Sequence, residues 1–365
     1  MKDIPIILPS YEPDGALTEL VKDLSKTENL VIIVNDGSGE KYDSFFEEAK
    51  SILKEKCILI SYKENRGKGY ALKAAFSYIL EHFPDALGAV TADSDGQHSC
   101  DEILKIRQEL SRHPLSLILG VREFESKTTP WKSAFGNKMS AGLLALTSNI
   151  KVTDTQCGLR GIPLAFMSQL IKIRENRFAF ETEMLIKSSG TYPILEVPIK
   201  TIYIDNNRAT HFRPVADSLK ILVSICRIFF AYSLLAIASS CLDLLLFWFW
   251  CRFLKIENPV LLAGAASVLA RIASVIFNFT MNYKVVFMTK NSVLKAAEKY
   301  ILVACFQMLA SAALLMMSVR IFGSDYRMLL KVIIDTVLFL VTFQVQARYT
   351  FANRKSSINN MGDSQ

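Results

Sequence analysis

The 365-residue sequence has no paired cysteines, no G-x-G-x-x-G after its first apolar run and no aromatic-basic stretch of the kind that reads nucleic acid. Each absence removes a class of function. The seven cysteines (57, 100, 157, 226, 241, 251 and 305) show no regular spacing, and four lie in or beside apolar segments. They read as small buried hydrophobes of a reducing compartment, not as a disulfide framework. A dinucleotide-dependent dehydrogenase needs the glycine fingerprint after strand one, where this chain has Pro9-Ser10-Tyr11-Glu12. The opening MKDIPIILPS has one lysine and an apolar run that stops at Pro9, too short for a secretory leader, so a cytosolic N-terminal domain is expected. The net charge of +7 comes with basic residues flanking apolar segments, which points to a membrane surface and to no nucleic-acid partner.

What is present divides into two halves. Up to about residue 214 the chain alternates short apolar runs with helically spaced segments. The runs are Ile4–Leu8, Leu30–Val34, Cys57–Tyr62, Ala86–Ala92 and Leu115–Gly120, with helical patterns such as Leu17–Leu24 and Gly69–Leu80 between them. Runs of that length between helices are what buried parallel strands look like, so a doubly wound α/β sheet is expected, with ligands at the carboxyl ends of its strands.

The second half is apolar. Four spans are expected at about 228–251, 260–283, 300–319 and 329–347, each near the roughly 20 residues that cross a bilayer core. Short connections imply an antiparallel four-helix bundle. Residues 215–227, with Leu219, Leu222, Val223 and Cys226 on one helical face, read as an interfacial amphipathic helix, and 352–365 as a flexible cytosolic tail. Lys284, Lys290, Lys295, Lys299, Arg348, Arg354 and Lys355 lie on one side of the bundle; Arg252, Lys255, Arg320 and Arg327 lie on the other. Seven against four places the catalytic domain inside, at the cytoplasmic face of a multi-pass cell-membrane protein.

The strongest chemical signal is Asp93-Ser94-Asp95-Gly96-Gln97-His98, directly after the fourth run. Two carboxylates two residues apart can address one hard divalent cation, Mg²⁺ or Mn²⁺, bridging a diphosphate. Pro9-Ser10-Tyr11-Glu12, Asn35-Asp36-Gly37-Ser38 and Asn65-Arg66-Gly67-Lys68-Gly69 end the first three runs, so four polar turns share one edge. There Lys68 can meet a phosphate.

The order P-S-Y-E, N-D-G-S, N-R-G-K-G, D-S-D-G-Q-H, G-V-R, D-T-Q-C-G-L-R (Asp154–Arg160) and F-E-T-E-M resembles the dolichyl- and polyprenyl-phosphate sugar transferases of family 2 glycosyltransferases, which have the GT-A fold. The resemblance runs from about Ile4 to Ser218. It implies nucleotide-sugar contacts from Pro9, Tyr11, Glu12, Asp36, Lys68 and Asp93, and metal contacts from Asp93, Asp95 and Gln97. It implies an acceptor-phosphate contact from Arg122, with Asp95, Asp154 and Lys200 close to the chemistry; the need for cations on the acceptor adds Lys138 and Arg213 as candidates. The expected reaction is an inverting, metal-dependent transfer of a hexose from a UDP- or GDP-sugar to polyprenyl phosphate, undecaprenyl phosphate in a bacterium, for envelope glycosylation. In this chain Asn35 stands where many relatives have a first aspartate, and Val121 replaces a more usual serine.

Arg271, Asn278, Asn282 and Phe287, together with Lys331, Asp335 and the 344–351 region, resemble spans of GtrA-like membrane proteins. That implies a role in handling the lipid-linked sugar. Asp243, Arg271 and Asp335 are costly at membrane depth, which makes them candidates for function or pairing. A processive polysaccharide synthase would carry Q-x-x-R-W, and none of Trp131, Trp248 or Trp250 follows an arginine. A transport or scaffold protein with a degenerate catalytic domain is the other alternative, and homo-oligomerisation stays open.

Overall fold

The computed structural model describes residues 4–122, 131–148, 150–200, 214–287, 289, 292–322 and 326–350. The chain forms two compact units, Met1–Ile225 and Cys226–Gln365.

The first unit is built on a seven-stranded sheet: β1 (Ile6–Ser10), β2 (Val31–Asp36), β3 (Cys57–Tyr62), β4 (Gly88–Thr91), β5 (Leu117–Arg122), β6 (Arg160–Pro163) and β7 (Ile194–Ile199), in the spatial order β3-β2-β1-β4-β6-β5-β7. Helices cover it: α1 (Gly15–Ser25), α2 (Asp43–Leu53), α3 (Lys68–His82), α4 (Cys100–Arg112), α5 (Trp131–Ser148), α6 (Leu164–Leu170) and α7 (Ala179–Ser188). Every residue of β2 is buried, which is why the sequence there is a continuous apolar run instead of an alternation. Helix α1 begins where the Asp14 carboxylate accepts from the Ala16 amide, and it buries Leu17, Leu20, Val21 and Leu24 in the sheet core. In α4 the Ser99 hydroxyl caps the Glu102 amide, and Ile103, Ile106 and Leu110 form the inward stripe.

Strand β1 pairs parallel with both β2 (Ile6↔Val31) and β4 (Ile6↔Val90), and β2 pairs parallel with β3 (Val31↔Cys57). The four polar turns therefore do share one edge, and the crevice between β1 and β4 is where strand order reverses. One strand departs from the parallel pattern. The short β6 lies antiparallel between β4 and β5, with Gly88 opposite Pro163 and Leu119 opposite Arg160. Four residues carrying a charge, a glycine and a proline do not show as an apolar run, which is why β6 escapes sequence reading.

The second unit holds α8 (Pro214–Phe253, which begins in the first unit), α9 (Pro259–Met281), α10 (Val293–Phe322) and α11 (Arg327–Val345). Among the described residues, four apolar stretches are long enough to cross a membrane: Leu219–Phe253, Pro259–Val286, Val293–Phe322 and Leu329–Thr350. With Leu244, Leu261, Leu302 and Leu309 facing outward, this is a multi-pass membrane protein. The 215–227 segment is the first part of α8 and not a helix of its own. No glycine or proline follows Pro214 before Phe253, so nothing interrupts the backbone hydrogen bonds. Two wider π-helical turns, Asn282–Val286 and Gln346–Thr350, end the second and fourth spans. Tyr232, Leu235, Val286 and Phe343 form an aromatic-lined core between the helices.

Candidate functional site

The site is assembled at the carboxyl edge of β1–β4. After β4 the chain turns through Asp93–His98. The Ser94 hydroxyl donates to Pro9 O at 3.1 Å and lies 3.2 Å from Ser10 Oγ, so the acidic turn is tied to the end of β1. The Gln97 amide donates to Asp95 Oδ1 at 3.1 Å, which folds the turn back on itself. Asp93 lies 2.6 Å from the Lys68 ammonium at the start of α3, and that ammonium also meets Glu181 of α7 at 2.9 Å. Burial opposes the charge on Lys68, but Asp93 and Glu181 outweigh it and hold the ammonium above its ordinary pKa. Asp95 behaves oppositely: burial and the charge of Asp93 push it up to about 6. Burial also keeps His98 neutral, at about 4.

Two half-buried carboxylates crowded at one strand end form a hard-oxygen donor set of the kind a small divalent cation takes, with water and substrate oxygens completing its shell. Among the described residues no group of three or more His, Cys, Asp or Glu side chains converges on one point. The protein thus offers an incomplete shell, which suits a cation that arrives with a diphosphate.

Gly158 explains why D-T-Q-C-G-L-R needs its glycine. Because β6 runs antiparallel beside β4, Thr91 Oγ1 donates to Gly158 O at 2.8 Å and draws this residue against the acidic turn. A Cβ there would lie 2.5 Å and 2.7 Å from the Asp93 oxygens and 2.7 Å from Lys68 Nζ.

At the end of β5, Arg122 donates from Nε to Asp154 Oδ2 at 2.7 Å and from Nη2 to Oδ1 at 3.0 Å. Asp154 also accepts from the Gln156 and Cys157 amides and is 0% exposed. The expected contact between Asp154 and the transferred sugar meets a carboxylate with no open surface. Its place in the structure is behind Arg122, fixing the guanidinium in a two-pronged pair. Asn137 of α5 braces the same loop, donating to Thr153 O at 2.7 Å and accepting from the Thr155 amide at 2.9 Å. Its neighbour Lys138 is exposed. Lys200, also exposed, follows Ile199, the register partner of Arg122 in β7, and so lies at the same edge as the guanidinium. Arg213 falls outside the described residues.

Asp36 is buried and saturated. It accepts from Tyr62 Oη at 2.7 Å, Asn65 Nδ2 at 3.0 Å, and the Arg66 and Gly67 amides at 2.9 Å and 2.8 Å. It builds the β3–α3 turn that delivers Lys68, and a nucleoside contact would have to displace one of these donors. Tyr11 and Glu12 follow β1, with the Glu12 amide lying 2.9 Å from Ser38 Oγ; burial and then the Glu12 charge raise the Tyr11 pKa. Pro9 is the last-but-one residue of β1.

In the sequence Glu181 and Arg160 stand only as letters of F-E-T-E-M and D-T-Q-C-G-L-R. Arg160 is wholly buried and donates to Cys157 O (2.9 Å), Glu181 O (2.7 Å) and Thr155 O (3.1 Å). It thereby binds the Asp154 loop to the helix that carries Glu181. Nothing in local spacing distinguishes such an arginine from a surface one.

Comparison with known proteins follows the same division. Residues 6–166 match the family described as Glycosyl transferase family 2, and residues 260–351 match GtrA/DPMS, transmembrane domain. Among curated relatives, the chain is 29% identical over 225 residues to a UDP-N-acetylglucosamine–dolichyl-phosphate N-acetylglucosaminyltransferase of Methanococcus voltae, covering 57% of this chain and 89% of that protein. It is 25% identical over 257 residues to a dolichyl-phosphate beta-glucosyltransferase of Saccharomyces cerevisiae, covering 63% of this chain and 75% of that protein.

Proposed function

We propose, from the premise that this chain is a glycosyltransferase whose family 2 domain is joined to a GtrA/DPMS transmembrane domain, that it moves a hexose from a nucleotide-sugar onto polyprenyl phosphate. The acceptor class follows both relatives, each named as a transferase acting on dolichyl phosphate. The observation that carries the reading is the Asp93–Asp95 turn tied to the end of β1 and flanked by Lys68, at the point where strand order reverses. Donor diphosphates bind at such a point in α/β sheets.

The chemistry asks little of a general base. A lipid phosphate is already largely dianionic near neutral pH, its second pKa being around 6. The demand is to bring two anions together, which takes preorganised positive charge. Arg122, held from behind by Asp154, presents its guanidinium to the acceptor phosphate, with Lys138 and Arg213 as further cations. Lys68 lies beside the donor diphosphate, Lys200 near the reacting groups, and Pro9, Tyr11 and Glu12 along the nucleoside, while Asp36 shapes the turn that delivers Lys68. Asp93, Asp95 and Gln97 would hold Mg²⁺ or Mn²⁺, which supplies Lewis-acid charge on the leaving diphosphate. Direct displacement inverts the anomeric centre, so an α-linked donor gives a β-linked lipid. The catalytic domain, residues 1–214, works at the cytoplasmic face, and undecaprenyl phosphate is the acceptor in a bacterial host.

Purified full-length protein, given a panel of UDP- and GDP-hexoses and undecaprenyl phosphate, should form lipid-linked hexose from one donor. EDTA should stop the reaction, and Mg²⁺ or Mn²⁺ should restore it. Mass spectrometry detects the product, and the anomeric proton coupling reports its configuration. If no donor yields a lipid product, the acceptor assignment falls.

Gly158→Ala should lower kcat/KM by about 10²-fold, the usual cost of moving a reacting group by about 1 Å. Its new methyl group must displace Asp93, which is held by Lys68 and by the pinned turn. Circular dichroism should remain that of the parent. Full activity in this variant would show that Asp93 has room the geometry denies it.

A further inference from the structure

Lys331 and Asp335 lie one turn apart on α11 and pair at 2.9 Å. Ser311 of α10 joins them: its hydroxyl donates to Asp335 Oδ1 at 2.7 Å and accepts from the Lys331 ammonium at 2.7 Å. Asp335 stands six residues inside the apolar stretch Leu329–Thr350, about 9 Å along the helix. A lysine two residues inside a span ordinarily extends its ammonium outward to water. This one turns the other way, one turn deeper, to the carboxylate. Both charges are therefore held at the level of Asp335, within the hydrocarbon.

The cluster is tied down on one side only. Ser311 is buried where α10 meets α11, but the Lys331 and Asp335 side chains are 44% and 49% exposed. An exposed leucine or valine on a span faces lipid without cost and says nothing about a partner. A half-exposed ion pair is different, because hydrocarbon gives its open donors and acceptors nothing to bond. The other charged pair of the spans, Asp243 and Arg271, opens onto a polar cavity between the helices. Lys331 and Asp335 are not among that cavity's described lining residues, and the neighbours of Asp335 on α11, Val332 and Ile333, face outward.

Three features identify what covers this face. It carries one cation and one anion a turn apart, so it is complementary to itself. Copies of one chain enter a membrane in one orientation and to one depth, so the charges of two copies meet at the same level. The surroundings also suit a packed contact: Ala310 and Ala313 beside Ser311 let helices approach closely, and the exposed Met308, Leu314 and Val332 lie one turn from Ser311 or Asp335.

We infer that the open face of α10 and α11 joins two copies of this chain about a twofold axis along the membrane normal, with Lys331 of each copy meeting Asp335 of the other. Two half-answered pairs then become one cluster of four charges from which hydrocarbon is excluded. A lipid phosphate is a poorer occupant, since Asp335 repels the anion that Lys331 attracts.

The test counts copies of the full-length protein, each carrying one fluorophore, by single-molecule photobleaching in liposomes over a range of protein-to-lipid ratios. The parent should bleach in two steps. Asp335→Lys puts two cations on the face and Lys331→Asp puts two anions there. Each alone should weaken self-association by about a hundredfold or more, because like charges meet across the axis. Labelled in different colours and mixed, the two variants should pair with each other, cationic face to anionic face. Neither substitution restores the pair within its own helix, so recovery in the mixture separates a contact between copies from a loss of fold. Sugar transfer plays no part in this readout, so either reading can fail alone. The inference fails if the parent is a single copy at every ratio, if the single variants pair as tightly as the parent, or if the mixture does not pair. A single copy that retains phospholipid in native mass spectrometry, and loses it on Lys331→Asp, would give the face to lipid and overturn it.

Discussion

Asp95→Asn is expected to lower sugar transfer by about 10³-fold, at the upper end of what one preorganised electrostatic group contributes. The substitution changes almost nothing but charge. Asparagine is isosteric and keeps an oxygen for the Gln97 amide, so the turn between β4 and α4 should hold its shape. What disappears is the second carboxylate of a pair in which Asp93 is already committed to Lys68. Stimulation by Mg²⁺ or Mn²⁺ should vanish along with activity, while the thermal unfolding midpoint stays near that of the parent. No loss of stability is expected, because burial and Asp93 together disfavour the Asp95 charge in the folded protein. Transfer that continued undiminished would overturn the metal-dependent reading and leave the acidic turn as a solvated helix cap.

The second large effect concerns stability. Arg160→Leu removes a guanidinium that donates to three carbonyls, those of Thr155, Cys157 and Glu181, inside a site with no exposed surface. Each carbonyl left without a donor costs about 1–3 kcal/mol. Leucine recovers some of this by burying an apolar side chain, and the cost of desolvating the arginine disappears. A net loss of about 3 kcal/mol is expected, a large share of the 5–15 kcal/mol that holds an ordinary domain together. Arg160→Lys should rescue little, since one ammonium cannot reproduce a planar fork serving three acceptors. Both variants should unfold at lower temperature in circular dichroism and lose activity, because the Asp154 loop and Glu181 are released together. An unchanged midpoint would mean the three carbonyls find other donors.

The contrast between these residues marks how far the sequence can be read. Asp95 is legible because two carboxylates sit two positions apart, directly after an apolar run of strand length, with three further polar turns following earlier runs. Local pattern suffices for that. Arg160 could be quoted as part of a motif but not given a job, because Glu181, 21 residues further on, meets it only through the packing of α7. The reversed strand β6 brings Gly158 against Asp93, an adjacency no spacing rule encodes. Pattern and resemblance make ligand contacts of Asp154 and Asp36, since an exposed and a buried aspartate look alike in sequence. In the structure one braces Arg122 and the other ties the β3–α3 turn, each with four or more donors around it.

In the membrane half the sequence alone determined the four apolar helices and singled out Asp243 and Arg271 as costly residues. Hydrophobicity over roughly 20 residues is a local property, and the price of a charge in hydrocarbon does not depend on its neighbours. Tertiary structure decided that the two pair with each other and that Asn278 accepts from both Asn282 and Tyr300. The same division holds in the catalytic unit. Its first five strands, its helices and its acidic turn follow from apolar runs of strand length, 3.6-residue spacing and the polar residues that end the runs, all of which the chain carries along its length. The Lys68–Asp93–Glu181 cluster depends on which strands lie side by side and in which direction, and sheet order and strand sense are properties of the packed whole.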